Sequence, residues 1–265
     1  MKNNKLLSAI LLVALVAGFS SCKKKGCTDP NSLAYNEEAK KDDGSCTYPT
    51  STTKNAVVFE FTGTWCPYCG DYGGTWATDI DNDNTKTDVV AVHINDEFSV
   101  SIGEDLQTAF NSGGYPSFHV GEEEISQLSY NTLSNLVSDE LGAASTGNFD
   151  YTYSLEGNTM TASVQTKISG TGSGYTLAAY VIENGQVAEQ NTNSGPDANY
   201  VHNHILRKEA NGSAFGADVA FTDGNNVTDF SIDLSSISGA VAANCHLLVV
   251  LWKDGVYVNS TGLLQ

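Results

Sequence analysis

Positive charge is scarce in this chain of 265 residues. Lysine and arginine together number 13 against 31 aspartates and glutamates, which gives a net charge of −18. A chain with this balance repels nucleic-acid phosphates and anionic head groups. It also lacks a phosphate-binding glycine loop, a nucleic-acid motif and a Ser/His/Asp signature. We therefore exclude nucleic acid as a partner and expect cations or basic proteins at the acidic surface.

A hydrophobic run long enough to span a bilayer is also missing. The apolar stretch at 6–19 follows Lys2 and Lys5 and has the anatomy of a signal peptide. It ends in small residues before Cys22, a pattern that resembles a bacterial lipobox and implies a lipid anchor on Cys22 after cleavage. The alternative is a soluble exported protein that is cut nearby. Both interpretations place the chain outside the cytoplasm.

The most informative motif is Trp-Cys-Pro-Tyr-Cys at residues 65–69. It follows an apolar run that predicts a buried strand, and Cys66 begins the next predicted helix with Pro67 at the first helical position. Free backbone N–H groups and the helix dipole stabilise a thiolate there. Cys69, one turn later, can attack a mixed disulfide held on Cys66. The spacing therefore predicts Cys66 as the nucleophile and Cys69 as the resolving thiol.

Zinc binding is the alternative chemistry for a Cys-x-x-Cys pair. A structural zinc site needs four ligands, and no second cysteine pair lies nearby in the sequence. His202 and His204 would point the same way from one strand, which is compatible with two metal ligands, but the sequence identifies no third. Thiol–disulfide chemistry is the interpretation that the spacing favours.

The residues around the cysteine pair resemble the thioredoxin superfamily. The resemblance implies that Glu60, six residues before Cys66, is a buried acid that relays the protons of the dithiol. It also implies that Tyr115-Pro116 is the cis peptide bond that packs against the disulfide. Trp65, Tyr115 and Pro116 would then bind the extended backbone of a substrate. The alternatives are an outward-facing glutamate and an ordinary loop proline.

Strands alternate with helices in the first half of the chain, which predicts a thioredoxin-like α/β layer with right-handed crossovers. Later in the chain short strands and turns dominate, which predicts a separate all-β antiparallel sandwich. We expect a lipoprotein signal peptide at 1–21, a small acidic module and linker at 22–50, a thioredoxin-like domain at 51–146 and a β-sandwich domain at 147–265.

Two glycines interrupt the helix that is predicted to follow the dithiol. Gly73 and Gly74 each cost ~1 kcal/mol relative to alanine inside a helix. We therefore expect this helix to be short or bent, in contrast to the long helix that the thioredoxin resemblance implies. The dipole that stabilises a thiolate acts mainly through the first turn, so it survives such a bend.

Cys27, Cys46 and Cys245 remain once the other cysteines are assigned. Cys27 and Cys46 bracket a segment that resembles a small disulfide-closed module of exported bacterial proteins, and the resemblance implies that they pair. Closing such a loop stabilises it by ~3 kcal/mol in the chain-entropy model. Cys245 precedes a predicted buried strand and is expected to be an inert core thiol. The module also has candidate calcium ligands, the side-chain oxygens of Asp29, Asn31, Asp42 and Asp43. We favour the alternative, a solvated acidic linker that binds no calcium.

The layout of the whole chain resembles a family related to a 28-kDa outer-membrane protein of Gram-negative bacteria. Phe-Thr-Gly-x-x-Cys at 61–66 and His-x-His-x-Leu-Arg at 202–207 carry this resemblance. It implies an outer-membrane lipoprotein on the periplasmic or surface face, and it implies little about the reaction.

Two function classes follow from these residues. In the first, a membrane-anchored thiol–disulfide oxidoreductase without a cofactor acts on exported cysteine-containing proteins and is reset by an unidentified redox partner. In the second, a non-catalytic binding or adhesion lipoprotein uses the fold as a scaffold, and the Cys66–Cys69 disulfide is static. We favour the oxidoreductase because the signal is a site motif and not only a fold.

Overall fold

Strands make up most of the computed structural model, which describes residues 24–28, 34–43, 45, 54–169 and 172–264. Within these ranges the strands are β1 (Ala56–Thr62), β2 (Thr87–His93), β3 (Ser117–Val120), β4 (Glu123–Glu124), β5 (Gly147–Glu156), β6 (Thr159–Ile168), β7 (Tyr175–Glu183), β8 (Gln186–Thr192), β9 (Gly195–His202), β10 (Ile205–Glu209), β11 (Ala217–Asp218), β12 (Asn225–Asp233), β13 (Cys245–Lys253) and β14 (Val256–Leu264). The helical elements are a π-helical turn (Cys69–Gly73), α1 (Gly74–Asp83), α2 (Ser101–Ala109), α3 (Tyr130–Gly142) and short 3-10 turns (Leu234–Ser236 and Ala242–Asn244).

One nine-stranded sheet runs through the molecule in the order β14-β13-β7-β10-β2-β1-β3-β4, with β11 paired to β7. β1 lies parallel to β2 and antiparallel to β3, and β10 joins β2 in parallel where Ile205 lies opposite Ala91. β12, β6 and β5 form a second sheet of three strands, and β8 and β9 form a hairpin of their own. The described chain is thus a mixed α/β fold in which strands predominate.

The predicted boundary at residue 147 does not divide the central sheet. β7, β10, β13 and β14 all follow that residue, yet they continue the sheet that β1 and β2 begin. Side-chain alternation identifies a strand but does not specify which edge it joins, so the sequence pattern alone could not reveal this pairing. The two halves therefore share one sheet, where the sequence predicts two separate units.

A continuous apolar layer covers one face of the central sheet and links its two halves. Phe59 of β1 is fully buried in this layer. Its ring centroid lies 5.2 Å from that of Phe110 after α2, 6.2 Å from that of Tyr180 in β7 and 5.9 Å from that of Trp252 in β13. Burial of a side chain of this size contributes ~1.5–3 kcal/mol to folding.

Two different layers pack on the opposite face of the central sheet. Around β1 and β2 it is covered by α1 and α3, through Ile80 and Leu133. Around β7 and β13 it is covered by the three-stranded sheet, whose Met160 and Phe230 lie in a cluster with Val249. A sandwich of two sheets therefore exists in the second half, and its larger sheet is the central one.

The amino-terminal part of the chain is described only in short pieces. The predicted signal peptide and Cys22 lie outside the described residues. Isolated β-bridges pair Lys25 with Lys41 and Cys27 with Tyr35. The described residues between 24 and 43 therefore contain a small amount of β structure. None of the helices in the described ranges has the length and apolar character needed to cross a bilayer.

Phe59→Ala tests whether the shared sheet unfolds as one unit. We expect it to lower the free energy of unfolding by ~3–5 kcal/mol, because it leaves a cavity in the apolar layer where Phe59 contacts Trp252 of β13. Far-UV circular dichroism and tryptophan fluorescence should report one coincident transition in denaturant. Val187→Ala, at a side chain that is 61% exposed, is the control. Two transitions of which only the first is shifted would contradict a shared cooperative sheet.

Candidate active site around Cys66 and Cys69

A tight turn delivers the cysteine pair from the end of β1. At Gly63 a Cβ atom would lie 2.6 Å from Trp65 Nε1, so only glycine leaves room for the indole. Trp65 Nε1 donates to the carbonyl of Ile94 at 2.8 Å, and Thr64 N donates to Asp96 Oδ2 at 2.9 Å. Both bonds tie the turn to the chain that leaves β2, so the position of the cysteines depends on two adjacent parallel strands.

Asp96 is the main polar anchor of this turn, and sequence reasoning did not identify it. His93 Nδ1 lies 2.7 Å from Asp96 Oδ2, and Phe98 N donates to Oδ1 at 2.9 Å. Burial alone would raise the pKa of Asp96, but the bonds from His93, Thr64 and Phe98 outweigh it and lower that pKa. The carboxylate is therefore ionised at neutral pH and holds the turn rigidly.

The two cysteines form a disulfide at the start of the helix. Their Cα atoms are 5.3 Å apart, and each residue is 3% exposed. Pro67 is the first helical residue, as predicted. Cys69 N donates to Cys66 Sγ at 3.2 Å. On reduction this amide and the helix N-terminus would stabilise a Cys66 thiolate.

Glu60 lies in β1, is only 3% exposed and lines one small cavity together with Cys69. Its Oε1 has no hydrogen-bond partner among the described residues. Burial raises the pKa of Glu60 to about 8, and a hydrogen bond with Thr62 opposes part of that rise. The carboxyl group is therefore mostly protonated at neutral pH and can exchange a proton near physiological pH.

The other predicted site residues meet Glu60 at Gly73. A Cβ atom at Gly73 would lie 2.7 Å from Glu60 Oε1 and 3.2 Å from Pro116 Cβ. The Tyr115–Pro116 bond has the cis conformation that the thioredoxin resemblance implies. The rings of Trp65 and Tyr115 are in edge contact with centroids 5.0 Å apart. The structure thus brings Glu60 and Pro116 to Gly73 of the dithiol helix and Tyr115 to Trp65, the residue before Cys66.

The hairpin of β8 and β9 lies on the first turn of the dithiol helix, and no sequence signal placed it there. Gln190 Nε2 donates to the carbonyls of Cys66 at 2.9 Å and Gly63 at 3.3 Å. Asn191 N donates to the carbonyl of Thr64 at 2.8 Å, and Asn191 Nδ2 donates to that of Trp65 at 3.1 Å. The turn before the dithiol is therefore held from the hairpin side as well as from β2.

The glycines of the dithiol helix mark where other parts of the protein approach its backbone. A Cβ atom at Gly70 would overlap the carbonyl oxygen of Asn191, and one at Gly74 would overlap the Tyr200 hydroxyl. Helical structure nevertheless runs unbroken over residues 67–83, with the π-helical turn accommodating the crowded stretch. The expected short helix is therefore a continuous helix in which the glycines make room for the hairpin and for Glu60.

A polar cavity of about 40 Å³ lies between this helix and the hairpin. Roughly one or two water molecules fit in a space of this size. Burial and the neighbouring His93 lower the pKa of His202 to about 4, so its ring is neutral at physiological pH. Glu60 and Cys69 both face this cavity. The walls include Glu60, Cys69, His93, Gln190, Tyr200 and His202.

His202 and His204 do not lie on one strand, in contrast to the sequence prediction, although both line the cavity between the dithiol helix and the hairpin. His202 ends β9 and contacts the rings of His93 and Phe98. His204 follows with a left-handed φ of 61°, before β10 begins, so the alternation of a strand is lost between the two histidines. In the described part of the chain, no group of three or more His, Cys, Asp or Glu could hold a metal ion.

The predicted amino-terminal sites are only partly covered by the described residues. Cys27 is fully buried and disulfide-bonded, but Cys46 lies outside the described residues, so their pairing stays a prediction. Asp29 and Asn31 also lie outside, and the calcium site that they would form with Asp42 and Asp43 stays a prediction. Cys245 is a buried free cysteine, and burial together with Glu183 raises its pKa to about 12.

Comparisons with known proteins match most of the chain. A family model described as "Outer membrane protein Omp28" matches residues 104–261. Among solved structures, HBP35 of Porphyromonas gingivalis is similar over 80% of this chain and 75% of its own, with a TM-score of 0.67 and 20% sequence identity. At that identity the likeness concerns the fold alone. No curated protein sequence matches the chain. The family match includes Pro116 and the hairpin but begins after the cysteine pair.

Gly74→Ala tests the docking of the hairpin on the helix. We expect it to destabilise the protein by ~1–3 kcal/mol, because the new methyl group overlaps the Tyr200 hydroxyl, although alanine is the better helix former. The matched control is the double variant Gly74→Ala/Tyr200→Phe. The ring carbon beneath that hydroxyl would stand 3.4 Å from the methyl group, which is ordinary contact, so stability should recover. Equal losses in the single and double variants, measured by urea denaturation, would contradict this packing.

Glu60→Gln tests the raised pKa of the buried acid. A carboxyl group whose folded-state pKa lies above its unfolded value stabilises the fold below the unfolded pKa, and this contribution is lost as pH rises through about 8. Wild type should therefore lose stability relative to Glu60→Gln between roughly pH 5 and pH 9, by on the order of 3 kcal/mol.

Unfolding free energies of the oxidised protein at several pH values measure this difference. Glu97→Gln, at an exposed glutamate near the same turn, should run parallel to wild type. A Glu60→Gln curve that also runs parallel would show that the pKa of Glu60 is not raised.

Proposed function

The chain belongs to the Omp28 outer membrane protein family, and from that premise and the geometry of the cysteine pair we propose that it is an outer-membrane-associated thiol–disulfide oxidoreductase. One observation carries the proposal. A disulfide at a helix N-terminus, with Cys69 N donating to Cys66 Sγ, shares one small cavity with a buried Glu60 whose pKa is about 8. This combination supplies a stabilised thiolate and a nearby proton acceptor, which are the two requirements of dithiol exchange.

The proposed reaction begins from the reduced protein. The Cys66 thiolate attacks one sulfur of a client disulfide, forms a mixed disulfide and releases the other client sulfur as a thiolate. In the molecules in which Glu60 is ionised, Cys69 gives its proton to the Glu60 carboxylate and attacks Cys66 Sγ. The Cys66–Cys69 disulfide forms, the second client sulfur leaves as a thiolate that takes up a proton, and two electrons have passed to the client. The reverse sequence oxidises a client dithiol.

The surroundings of the dithiol support a thioredoxin-like interpretation of its layer. Parallel β1 and β2 flank the helix, and a cis proline precedes the antiparallel strand β3. Trp65 is 42% exposed and touches Tyr115. We assign Trp65, Tyr115 and Pro116 to binding the extended backbone of exported cysteine-containing proteins. The lipid anchor on Cys22 belongs to the same proposal.

The burial of the sulfur atoms favours a second candidate function. Both cysteines are 3% exposed, and a disulfide with so little access is compatible with a static link in a non-catalytic binding or adhesion protein. The two functions differ in the reactivity of Cys66 after reduction. A scaffold needs no activated thiolate.

Alkylation of the reduced protein across pH separates the two functions. We expect the pKa of Cys66 to lie below the ordinary thiol value of ~8.5. We also expect the protein to catalyse insulin reduction, Cys66→Ser to abolish that catalysis and Cys69→Ser to accumulate mixed disulfides. Cys245→Ser is the matched control, because the buried Cys245 thiol should take no part. An ordinary pKa for Cys66 without any insulin reduction would leave the scaffold function.

A further inference from the structure

The hairpin of β8 and β9 lacks strand partners of its own. In the described chain these two strands pair only with each other, and they join neither larger sheet. An isolated two-stranded hairpin is marginally stable in water. The hairpin is therefore held in place by its contacts with the rest of the protein, and these contacts concentrate on the turn and first helical residues around the dithiol.

The tie between the hairpin and the dithiol turn consists of side-chain amides and one backbone amide. Gln190 is 2% exposed and reaches the carbonyls of Gly63 and Cys66. Asn191 reaches the carbonyl of Trp65 through its side chain and that of Thr64 through its backbone. Each of these bonds is neutral and contributes a modest net free energy. Asn193 N and Nδ2 add bonds to the Asp71 carboxylate on the dithiol helix. None of these bonds belongs to the central sheet, so the hairpin can open without breaking the strand pairing of that sheet.

The two sides of the dithiol differ in access. On the hairpin side, Gln190 is buried against the backbone of Cys66 and Asn191 lies against Gly70. On the other side, Trp65 is 42% exposed and Tyr68 is 55% exposed. A protein disulfide carries flanking chain on both sides of its sulfur atoms, whereas a small disulfide does not. Exchange rates depend on access to the attacked sulfur. The hairpin therefore slows exchange with large clients more than exchange with small ones.

We propose that Gln190 and Asn191 are specificity-determining residues for thiol–disulfide exchange at Cys66. Their bonds to the turn keep the hairpin closed over one side of the dithiol and so favour disulfides with little flanking bulk. This inference rests on the proposed exchange activity and adds a selection step to it. Opening the tie should admit folded or bulky protein disulfides while changing the reaction with small disulfides much less.

The test compares two disulfides on the same reduced protein. Hydroxyethyl disulfide is the small, neutral probe, and insulin is the protein probe. Both react with the same Cys66 thiolate, so a change in its ionisation cancels in the ratio of the insulin rate to the hydroxyethyl disulfide rate. We expect Gln190→Ala to raise this ratio about tenfold, the factor that corresponds to ~1.4 kcal/mol for the two bonds to the turn that it removes.

A matched control lies one residue away on the same strand. Glu189 is exposed, and Glu189→Ala shortens a side chain of the same length without touching the tie, so its ratio should equal that of wild type. Asn191→Ala removes the single bond to Trp65 and leaves Gln190 in place. It should raise the ratio less than Gln190→Ala does, and it keeps the test available if that variant does not fold.

Each outcome has one meaning. Exchange with an unchanged ratio in both Gln190→Ala and Asn191→Ala overturns the specificity role and leaves the oxidoreductase in place. An equal rise in Glu189→Ala also overturns it, because the effect would then belong to the hairpin in general. Wild-type protein that exchanges with neither disulfide overturns the proposed function itself, and the specificity role falls with it.

Discussion

The pairing of β10 with β2 is the contact on which the rest of the molecule depends. Ala91 N donates to the carbonyl of His204 at 2.7 Å, and Ile205 lies opposite Ala91, so the second half of the chain joins the first at one strand edge. The β8–β9 hairpin precedes β10 directly in the chain. Because β10 is fixed beside β2, the hairpin that precedes it lies over the helix that follows β1.

Much of the fold is predictable from local pattern, and the errors have a common cause. The buried strand predicted before the dithiol is observed as β1, and the helix predicted after it begins at Pro67. α3 begins at Tyr130, because Ser129 caps the helix by accepting a hydrogen bond from Thr132 N. The pairing of β10 with β2 and the docking of the hairpin on the dithiol turn left no periodic signal, since the residues that they contact lie far away in sequence.

The candidate site likewise contains residues that the sequence identifies and residues that it does not. The sequence identifies Cys66, Cys69, Glu60 and Pro116 through spacing and resemblance, because a short strand–turn–helix segment and one proline fix their positions. It does not identify Gln190 and Tyr200, because they come from a hairpin whose position depends on tertiary contacts. The glycines of the dithiol helix were the available clue. A residue type that weakens a helix is retained where another part of the chain must approach the backbone.

The site concentrates features that would destabilise the protein if they had no other role. Gly73 and Gly74 each cost the helix ~1 kcal/mol, and Gly73 stands directly over Glu60. The buried Oε1 of Glu60 has no hydrogen-bond partner among the described residues, which adds the cost of removing a polar group from water. An ordinary scaffold would place alanine and an apolar strand residue at these positions. Local rules fail together mainly at functional sites, and this convergence near Cys69 favours chemistry at the dithiol over a static disulfide.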